Sequence, residues 1–292
     1  MRLGLGCAPL GGLYTPVSED DARATVDAAW DAGIRFFDVA PLYGEGLSEK
    51  RLGAALAERP RDEYVLSTKV GRLIDGGEVV FDFSRDGILR SLEESLERLG
   101  LDRVDVLLVH DPEQHMEQAL DEALPAVREL REQGVVGAIG AGMNYPAELE
   151  RIVRDGVDCV LMAGRYTLLD RSGLGLLDVC AELGVDVIAG GVFNSGILAG
   201  GTTFNYQPAP PELLERARAV FAECERHAVS PTAAALQFPL THPAVKRVLA
   251  GARSPAELRA DVQAFEAELP AQTVSAIAAS GVTTRNEKLS SR

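Results

Sequence analysis

Four reactive side chains stand at or just beyond the ends of short apolar runs. Asp38 closes Phe36-Phe-Asp38 and is followed five residues later by Tyr43, Lys69 lies near the end of Val65-Leu-Ser-Thr-Lys69-Val70, and His110 ends Val104-Asp-Val-Leu-Leu-Val-His110. If these runs are neighbouring parallel strands, a carboxylate, a phenol, an ammonium and an imidazole project toward one mouth. An ammonium buried without a partner costs several kcal/mol, so Lys69 requires a carboxylate, and Asp38 is the one at hand. An ammonium held beside a phenol oxygen stabilises the phenolate and lowers the phenol pKa from about 10, toward a general acid useful near neutrality. Tyr43 is then the proton donor, and His110 can hydrogen-bond the same substrate oxygen and orient its carbonyl. The set suits protonation of an oxygen while another group attacks the carbon. Each member has a structural account too. The Asp-Lys pair can simply hold strands together, Tyr43 can cap the core with its hydroxyl in water, and His110 before Asp111-Pro112 can be a hydrogen-bonded strand-end histidine. Four coincidences on successive strands favour the catalytic account.

Eight runs of strand length recur along the chain: Leu3 to Cys7, Ile34 to Val39, Tyr64 to Val70, Val104 to Val109, Val135 to Gly140, Cys159 to Met162, Val185 to Ala189 and Val245 to Ala250. Helical segments follow them, and strands alternating with helices imply parallel pairing with helices outside. Ser18-Glu-Asp-Asp21 opens the first helix, with a capping hydroxyl and carboxylates at the positive end of the dipole. Ser254-Pro-Ala-Glu257 has capping-box spacing with Pro at the first helical position. Between Asp86 and Leu99, residues Ile88, Leu89, Leu92, Leu96 and Leu99 fall on one face, and Glu94 and Arg98 sit four apart on the other. No composition shift or linker divides the chain, so the expectation is an α/β protein with a single (β/α)8 barrel over residues 1–292. A doubly wound sheet would want a G-x-G-x-x-G turn after its first strand, and Gly4-Leu-Gly6-Cys-Ala-Pro9 lacks the last glycine.

The 292 residues are 46% hydrophobic and 25% charged, enough to bury a sizeable core. With 29 Lys and Arg against 44 Asp and Glu, the formal charge of −15 disfavours nucleic acid and anionic lipid as partners. Apolar runs fall far short of the ~20 residues that span a bilayer. The N-terminus has no secretory signal pattern. Four scattered cysteines (7, 159, 180 and 224) without C-x-x-C read as reduced thiols of a cytoplasmic protein. The four histidines (110, 115, 227 and 242) include no H-x-H or H-E-x-x-H spacing, so no metal is expected. A small molecule is the expected partner, and the sequence assigns no oligomeric state.

Several motifs resemble the aldo-keto reductase family. They are Asp38-x4-Tyr43-Gly with Ser48-Glu-Lys-Arg-Leu-Gly53, Ser67-Thr-Lys69-Val-Gly, and Arg90-Ser-Leu-Glu-x-Ser-Leu-x-Arg-Leu-Gly-Leu-Asp102 leading to His110. Further stretches, among them Ala8-Pro-Leu-Gly-Gly-Leu-Tyr14, His110-Asp-Pro112, Gly140-Ala-Gly-Met-Asn144, Gly164-Arg-Tyr-Thr-Leu-Leu169, Asn194-Ser-Gly-Ile-Leu198 and Ala233-Ala-Ala-Leu-Gln-Phe-Pro239, are similar to the branch containing L-fucose dehydrogenase, D-threo-aldose 1-dehydrogenase and pyridoxal 4-dehydrogenase. The resemblance implies a (β/α)8-barrel oxidoreductase that uses NAD or NADP with an Asp38, Tyr43, Lys69, His110 tetrad. It implies hydride transfer between the nicotinamide and a small aldose such as L-fucose or D-arabinose, giving the lactone. The alternatives are an NADPH-dependent aldehyde or ketone reductase and a cofactor-binding regulatory subunit.

The same resemblance implies a cofactor site of Gly6, Cys7, Asn144, Asn194, Ser195, Gly196, Leu198, Gly251, Arg253, Ser254, Glu257 and Asp261. Asn144 would hold the carboxamide, Asn194 to Leu198 would pass over the pyrophosphate, and Gly251 to Glu257 would meet the adenosine end. Amides of the helix opening at Ser254 can satisfy an anionic group despite the acidic chain. Arg253 suits the 2'-phosphate of NADP, whereas Glu257 suits the free 2'-hydroxyl of NAD or else only caps the helix; the balance leans to NAD. Leu13, Tyr14, Tyr43, His110, Asp111 and the loop from Arg72 to Phe83 are the expected pocket walls. Asp111 either accepts a sugar hydroxyl or caps the turn before Pro112. Three departures from the family pattern are expected to matter. No hairpin precedes the first strand to plug the barrel bottom, Ala163 stands where a carboxamide-binding Gln is common, and Gly190 replaces a stacking aromatic. A tail with Arg285, Asn286, Glu287 and Lys288 adds little apolar wall, which favours a polar, open pocket.

Overall fold

The computed structural model describes residues 1–13, 15–205 and 207–281. Tyr14 and the tail residues Arg285 to Lys288 lie outside them. Eight parallel strands close a barrel in sequence order: β1 (Leu3–Gly6), β2 (Phe36–Asp38), β3 (Val65–Val70), β4 (Val104–His110), β5 (Val136–Met143), β6 (Cys159–Ala163), β7 (Asp186–Gly190) and β8 (Val245–Ala250). The ring closes because β1 pairs on both edges, Leu3 with Val248 of β8 and Leu5 with Phe37 of β2. Each strand coincides, within one to three residues at either end, with one of the eight apolar runs.

These runs are continuously apolar because both faces of the sheet are covered. Phe36, Val106, Leu108, Cys159, Leu161, Ile188 and Leu249 fill the barrel interior, while Leu3, Leu5, Phe37, Leu66, Leu107 and Val109 pack outward in the larger core against the helices. The two-residue period of a strand then fixes where the chemistry points. Asp38 is in phase with inward Phe36, and His110 is in phase with inward Val106 and Leu108. The Arg247 guanidinium lies 4.8 Å over the Phe36 ring.

The outer helices begin where their caps dictate. Ser18 Oγ accepts from the Asp21 amide at α1 (Glu19–Asp31), α2 spans Leu47–Leu56, and Ser84 Oγ accepts from the Gly87 amide at α3 (Arg85–Leu99). There Ile88, Leu92 and Leu99 are buried, and Glu94 meets Arg98 at 3.7 Å. The ring continues through α4 (Leu124–Glu132), α5 (Pro146–Gly156) and α6 (Leu174–Leu183), and then α7 (Pro211–Arg226), α8 (Pro231–Gln237), α9 (Pro255–Glu266) and α10 (Ala271–Ser280). A second core lies apart from the strands: Ile197 and Leu198 pack with Leu213, Val220, Phe238 and Ile277, joining the segment after β7 to α7 and α10.

The segment after β3 is a correction to the expected loop. Arg72–Asp75 and Glu78–Phe81 form an antiparallel hairpin about Gly76 and Gly77. Both glycines have positive φ, 60° and 87°, as the turn that matches strand twist requires. Thr203–Phe204 and Gln207–Pro208 form a second, shorter hairpin.

Candidate active site

Strand register brings three of the four reactive groups together. Asp38 pairs with Ser67 across β2 and β3, so Lys69, two residues on, shares the inward face just above it. Lys69 Nζ donates to Asp38 Oδ2 and to the Val39 carbonyl, each at 2.8 Å, and Ser67 Oγ donates to Asp38 Oδ1 at 3.0 Å. Lys69 is 1% exposed and Asp38 3%. The fourth group, Tyr43, sits on the loop after β2. Gly11 and Gly44 set its place, because their backbones touch: a Cβ on Gly44 would lie 2.3 Å from the Gly11 carbonyl oxygen. Lys69 Nζ is 4.9 Å from the Tyr43 ring centroid and hydrogen-bonds its side chain, and the Tyr43 and His110 rings meet edge to face at 6.1 Å.

The charges follow from these neighbours. Burial opposes the Lys69 charge, but the Asp38 carboxylate and then the Tyr43 oxygen outweigh it and hold the ammonium above its ordinary value. His110, buried beneath the mouth, is pushed well below 6.5 by desolvation and by the Lys69 and Arg72 cations, so it is a neutral imidazole at pH 7. A cation against the phenol oxygen favours phenolate, so the phenol can exchange a proton at a substrate oxygen. A neutral imidazole can donate one N–H to the same atom.

Two motif residues are structural. Buried Glu49 accepts from Thr68 Oγ1 at 2.7 Å and from Arg98 Nε at 2.6 Å, tying α2 to β3 and α3. Ser48 Oγ donates to the Cys7 carbonyl at 2.6 Å and anchors α2 to the end of β1.

Three strand-end positions near the tetrad carry a methyl or no side chain. Ala163 and Gly190 pair at the ends of β6 and β7, and a Cβ on Gly142 would sit 3.7 Å from Lys69 Cε. Such a floor can receive a flat ring against Lys69. Asn144 follows β5 half-buried, its carbonyl accepting from Arg165 Nε at 2.8 Å. Asn194 is spent on packing: its Oδ1 accepts from Thr167 Oγ1 at 2.6 Å, and its Nδ2 donates to the Gly164 carbonyl at 3.1 Å. Leu198 is in the second core, and the Cys7 thiol is in the core between strands and helices, where burial raises its pKa. All three side chains are thus buried, Asn194 at 2% exposure and the other two at 0%. Ser195 and Gly196 follow in left-handed conformations, φ 59° and 100°, and the Ser195 carbonyl accepts from Thr203 Oγ1.

Gly251 packs against the loop after β1, where a Cβ would lie 3.0 Å from Pro9 Cγ and 3.4 Å from the Gly6 carbonyl oxygen. At the start of α9, Ser254 Oγ accepts from the Glu257 amide at 3.2 Å, and Glu257 Oε2 accepts from the Arg253 amide at 2.9 Å. The Arg253 guanidinium closes on Glu257 Oε1 at 2.6 Å. Glu257 thus both completes the cap and engages Arg253. Asp261, one turn on, is pushed up to about 7 by burial and then by the Glu257 charge.

On the substrate side, Leu13 is exposed on the loop after β1. Asp111 follows His110 with its carboxylate 2.6 Å from Arg72 Nη1. The Arg72 guanidinium lies 5.0 Å over Phe81, and Phe81 stacks on His115 at 5.7 Å. Sequence reasoning placed Arg72 and Phe81 only in a loop and gave His115 no role. The Asp75-Gly-Gly-Glu78 turn between two apolar pairs was the signal that would have found the hairpin.

The family profile described as Aldo/keto reductase family matches residues 2–281. A D-threo-aldose 1-dehydrogenase from Pseudomonas sp is 43% identical over 92% of this chain and 90% of its own length. A pyridoxal 4-dehydrogenase from Microbacterium luteolum is 41% identical over the same shares. Among solved structures, the holo form of an aldo-keto reductase from Bacillus halodurans superposes with a TM-score of 0.79 at 28% identity, covering 98% of this chain and 94% of that one.

Proposed function

The chain belongs to the aldo/keto reductase family, and from that premise we propose that it oxidises a small aldose at its anomeric carbon to the lactone, with NAD as the preferred cofactor. It is a nicotinamide-dependent oxidoreductase. The observation that supports the reading is the buried Asp38-Lys69 pair holding a cation against Tyr43, with neutral His110 facing the same phenol ring. A bound nicotinamide supplies the hydride acceptor. Tyr43, as phenolate, takes the proton of the anomeric hydroxyl, Lys69 stabilises the phenolate, and Asp38 keeps Lys69 in place and charged. His110 donates its N–H to the reacting oxygen and sets the angle at the carbon. The floor of Gly142, Ala163 and Gly190 would receive the nicotinamide ring beside Asn144. Ser195 and Gly196 would meet the pyrophosphate, and Gly251, Arg253, Ser254, Glu257 and Asp261 the adenosine end, while Gly6 would touch the cofactor at the end of β1 beside Asp38.

Substrate class is supported by the names of the two relatives, one an aldose 1-dehydrogenase and the other a pyridoxal dehydrogenase. The choice of NAD is supported by Glu257, which engages Arg253 and presents a carboxylate where a 2'-phosphate would be repelled. Among the described residues no helix is long and apolar enough to cross a membrane. The four cysteines are buried thiols, which suits a cytoplasmic setting.

The test is cofactor reduction followed by absorbance, with NAD or NADP against L-fucose, D-arabinose, L- and D-galactose and pyridoxal. The expected result is reduction with at least one aldose, faster with NAD. No reduction in any well, together with NADPH-driven reduction of simple aldehydes, would overturn the reading in favour of a reductase.

A further inference from the structure

One carboxylate beside the tetrad has two suitors. Asp111 Oδ2 is 2.6 Å from Arg72 Nη1 and 3.6 Å from His110 Nε2. The first is a charge-assisted hydrogen bond, whereas the second is beyond hydrogen-bond range. Asp111 also sits in a left-handed conformation, φ 46°, and its amide donates to the Gly142 carbonyl at 3.0 Å. Its backbone is therefore pinned, and only its side chain decides which neighbour it serves.

We propose that Arg72 is a positioning residue for His110: by holding the Asp111 carboxylate, it keeps that group out of hydrogen-bond reach of the imidazole and leaves the ring N–H for the substrate oxygen. The inference rests on the catalytic reading of His110 given above. Closing the gap from 3.6 Å to a normal bond of about 2.8 Å needs a side-chain shift of only ~0.8 Å. The bond to Arg72 is what opposes that shift. Arg72 is held in turn, because its guanidinium lies over Phe81, and Phe81 stacks on His115 at an interplanar angle of 24°. The hairpin thus works as a bracket whose far end is an aromatic stack and whose near end aims a catalytic side chain.

The groups facing His110 are Lys69 on β3, Tyr43 after β2, Arg72 on the hairpin and Asp111 just past the end of its own strand. Lys69 and Arg72 disfavour the imidazolium, and a released Asp111 would favour it. Loss of Arg72 therefore removes one repelling cation and frees one attracting anion. Both changes push His110 toward an imidazolium bonded to Asp111, which is turned from the substrate.

The test is titration of the His110 imidazole by NMR in the cofactor-free protein, with its signal assigned by loss in His110→Asn. In the native protein His110 should stay neutral well below pH 6.5; in Arg72→Met its titration should move to higher pH. The double variant Arg72→Met/Asp111→Asn, which lacks the capturing carboxylate, should move it back. Turnover should follow: a kcat loss of about tenfold in Arg72→Met, smaller than the ~10²- to 10⁴-fold cost of deleting an acid–base group. Most of that loss should be regained in Arg72→Lys, which keeps a cation on the Asp111 carboxylate. An unchanged His110 titration in Arg72→Met would overturn the proposal. So would a double variant whose His110 titration stays where Arg72→Met puts it, since the released carboxylate would then not be the cause. If no substrate turns over, the dehydrogenase reading fails separately, because the NMR titration needs neither cofactor nor substrate.

Discussion

Replacing Lys69 with Met tests the electrostatic part of the Asp38-Lys69 pair, because most of the apolar stem is kept while the terminal ammonium is lost. Three interactions end: the bonds of Nζ to Asp38 Oδ2, to the Val39 carbonyl and to the Tyr43 side chain. The carbonyl costs about 1 kcal/mol at any pH. The carboxylate, nearly fully buried with only Ser67 Oγ left to it, will take up a proton to stay inside. Protonating an ordinary carboxyl costs ~1.36 kcal/mol for each pH unit above about 3.9, which is roughly 4 kcal/mol at pH 7 and roughly 1.5 kcal/mol at pH 5. The sign follows: a carboxyl kept neutral in the fold adds no penalty below the unfolded value and a growing one as pH rises. The variant should lose ~5 kcal/mol of stability at pH 7 and ~2.5 kcal/mol at pH 5. The assay is urea unfolding followed by circular dichroism at both pH values, for native protein, Lys69→Met and Lys69→Met/Asp38→Asn. The double variant should show the same small loss at both. Equal losses for Lys69→Met at pH 7 and pH 5, unaltered by Asp38→Asn, would refute the argument.

Tyr43→Phe should lower turnover by about 10²- to 10⁴-fold while leaving the dissociation constant of the cofactor, read by fluorescence quenching, within about twofold; turnover near the native rate would mean that another group moves the proton. Glu257→Gln loosens its grip on Arg253 and removes the carboxylate. The ratio of kcat/KM for NADP over NAD should rise about tenfold, the equivalent of one additional charge-assisted contact worth ~1.4 kcal/mol. An unchanged ratio would show that cofactor choice is made elsewhere.

What the sequence made legible was periodic and local. The strands are covered on both faces, so their runs stand out as apolar blocks, and Ser18 and Ser254 cap helices through bonds to residues three positions away. Asp38, Lys69 and His110 could be placed because a strand end and a two-residue period suffice to aim them. What stayed hidden depends on pairs distant in the chain. Arg72 and Asp111 are brought together by the hairpin and a strand end, and neither residue type announces the other. Asn194 reads as a polar loop residue open to a ligand, yet Thr167 and Gly164 absorb both ends of its amide. The second core was equally unreadable, since its members come from five separate segments with no shared period.

That second core divides the protein mechanically. Residues 197 and 198 are moored to α7, α8 and α10 rather than to the strands that hold Asp38, Lys69 and His110. Local opening draws on the burial of the unit that opens, and a lobe with its own small apolar cluster opens at lower cost than the whole barrel. The strap that we assign to the cofactor's phosphates can therefore lift and reseat while the proton-handling groups stay fixed. Amide hydrogens of α10 should exchange with solvent long before those of β3 and β4, so the residence time of a bound dinucleotide and the alignment of the reacting atoms are free to drift apart through mutation.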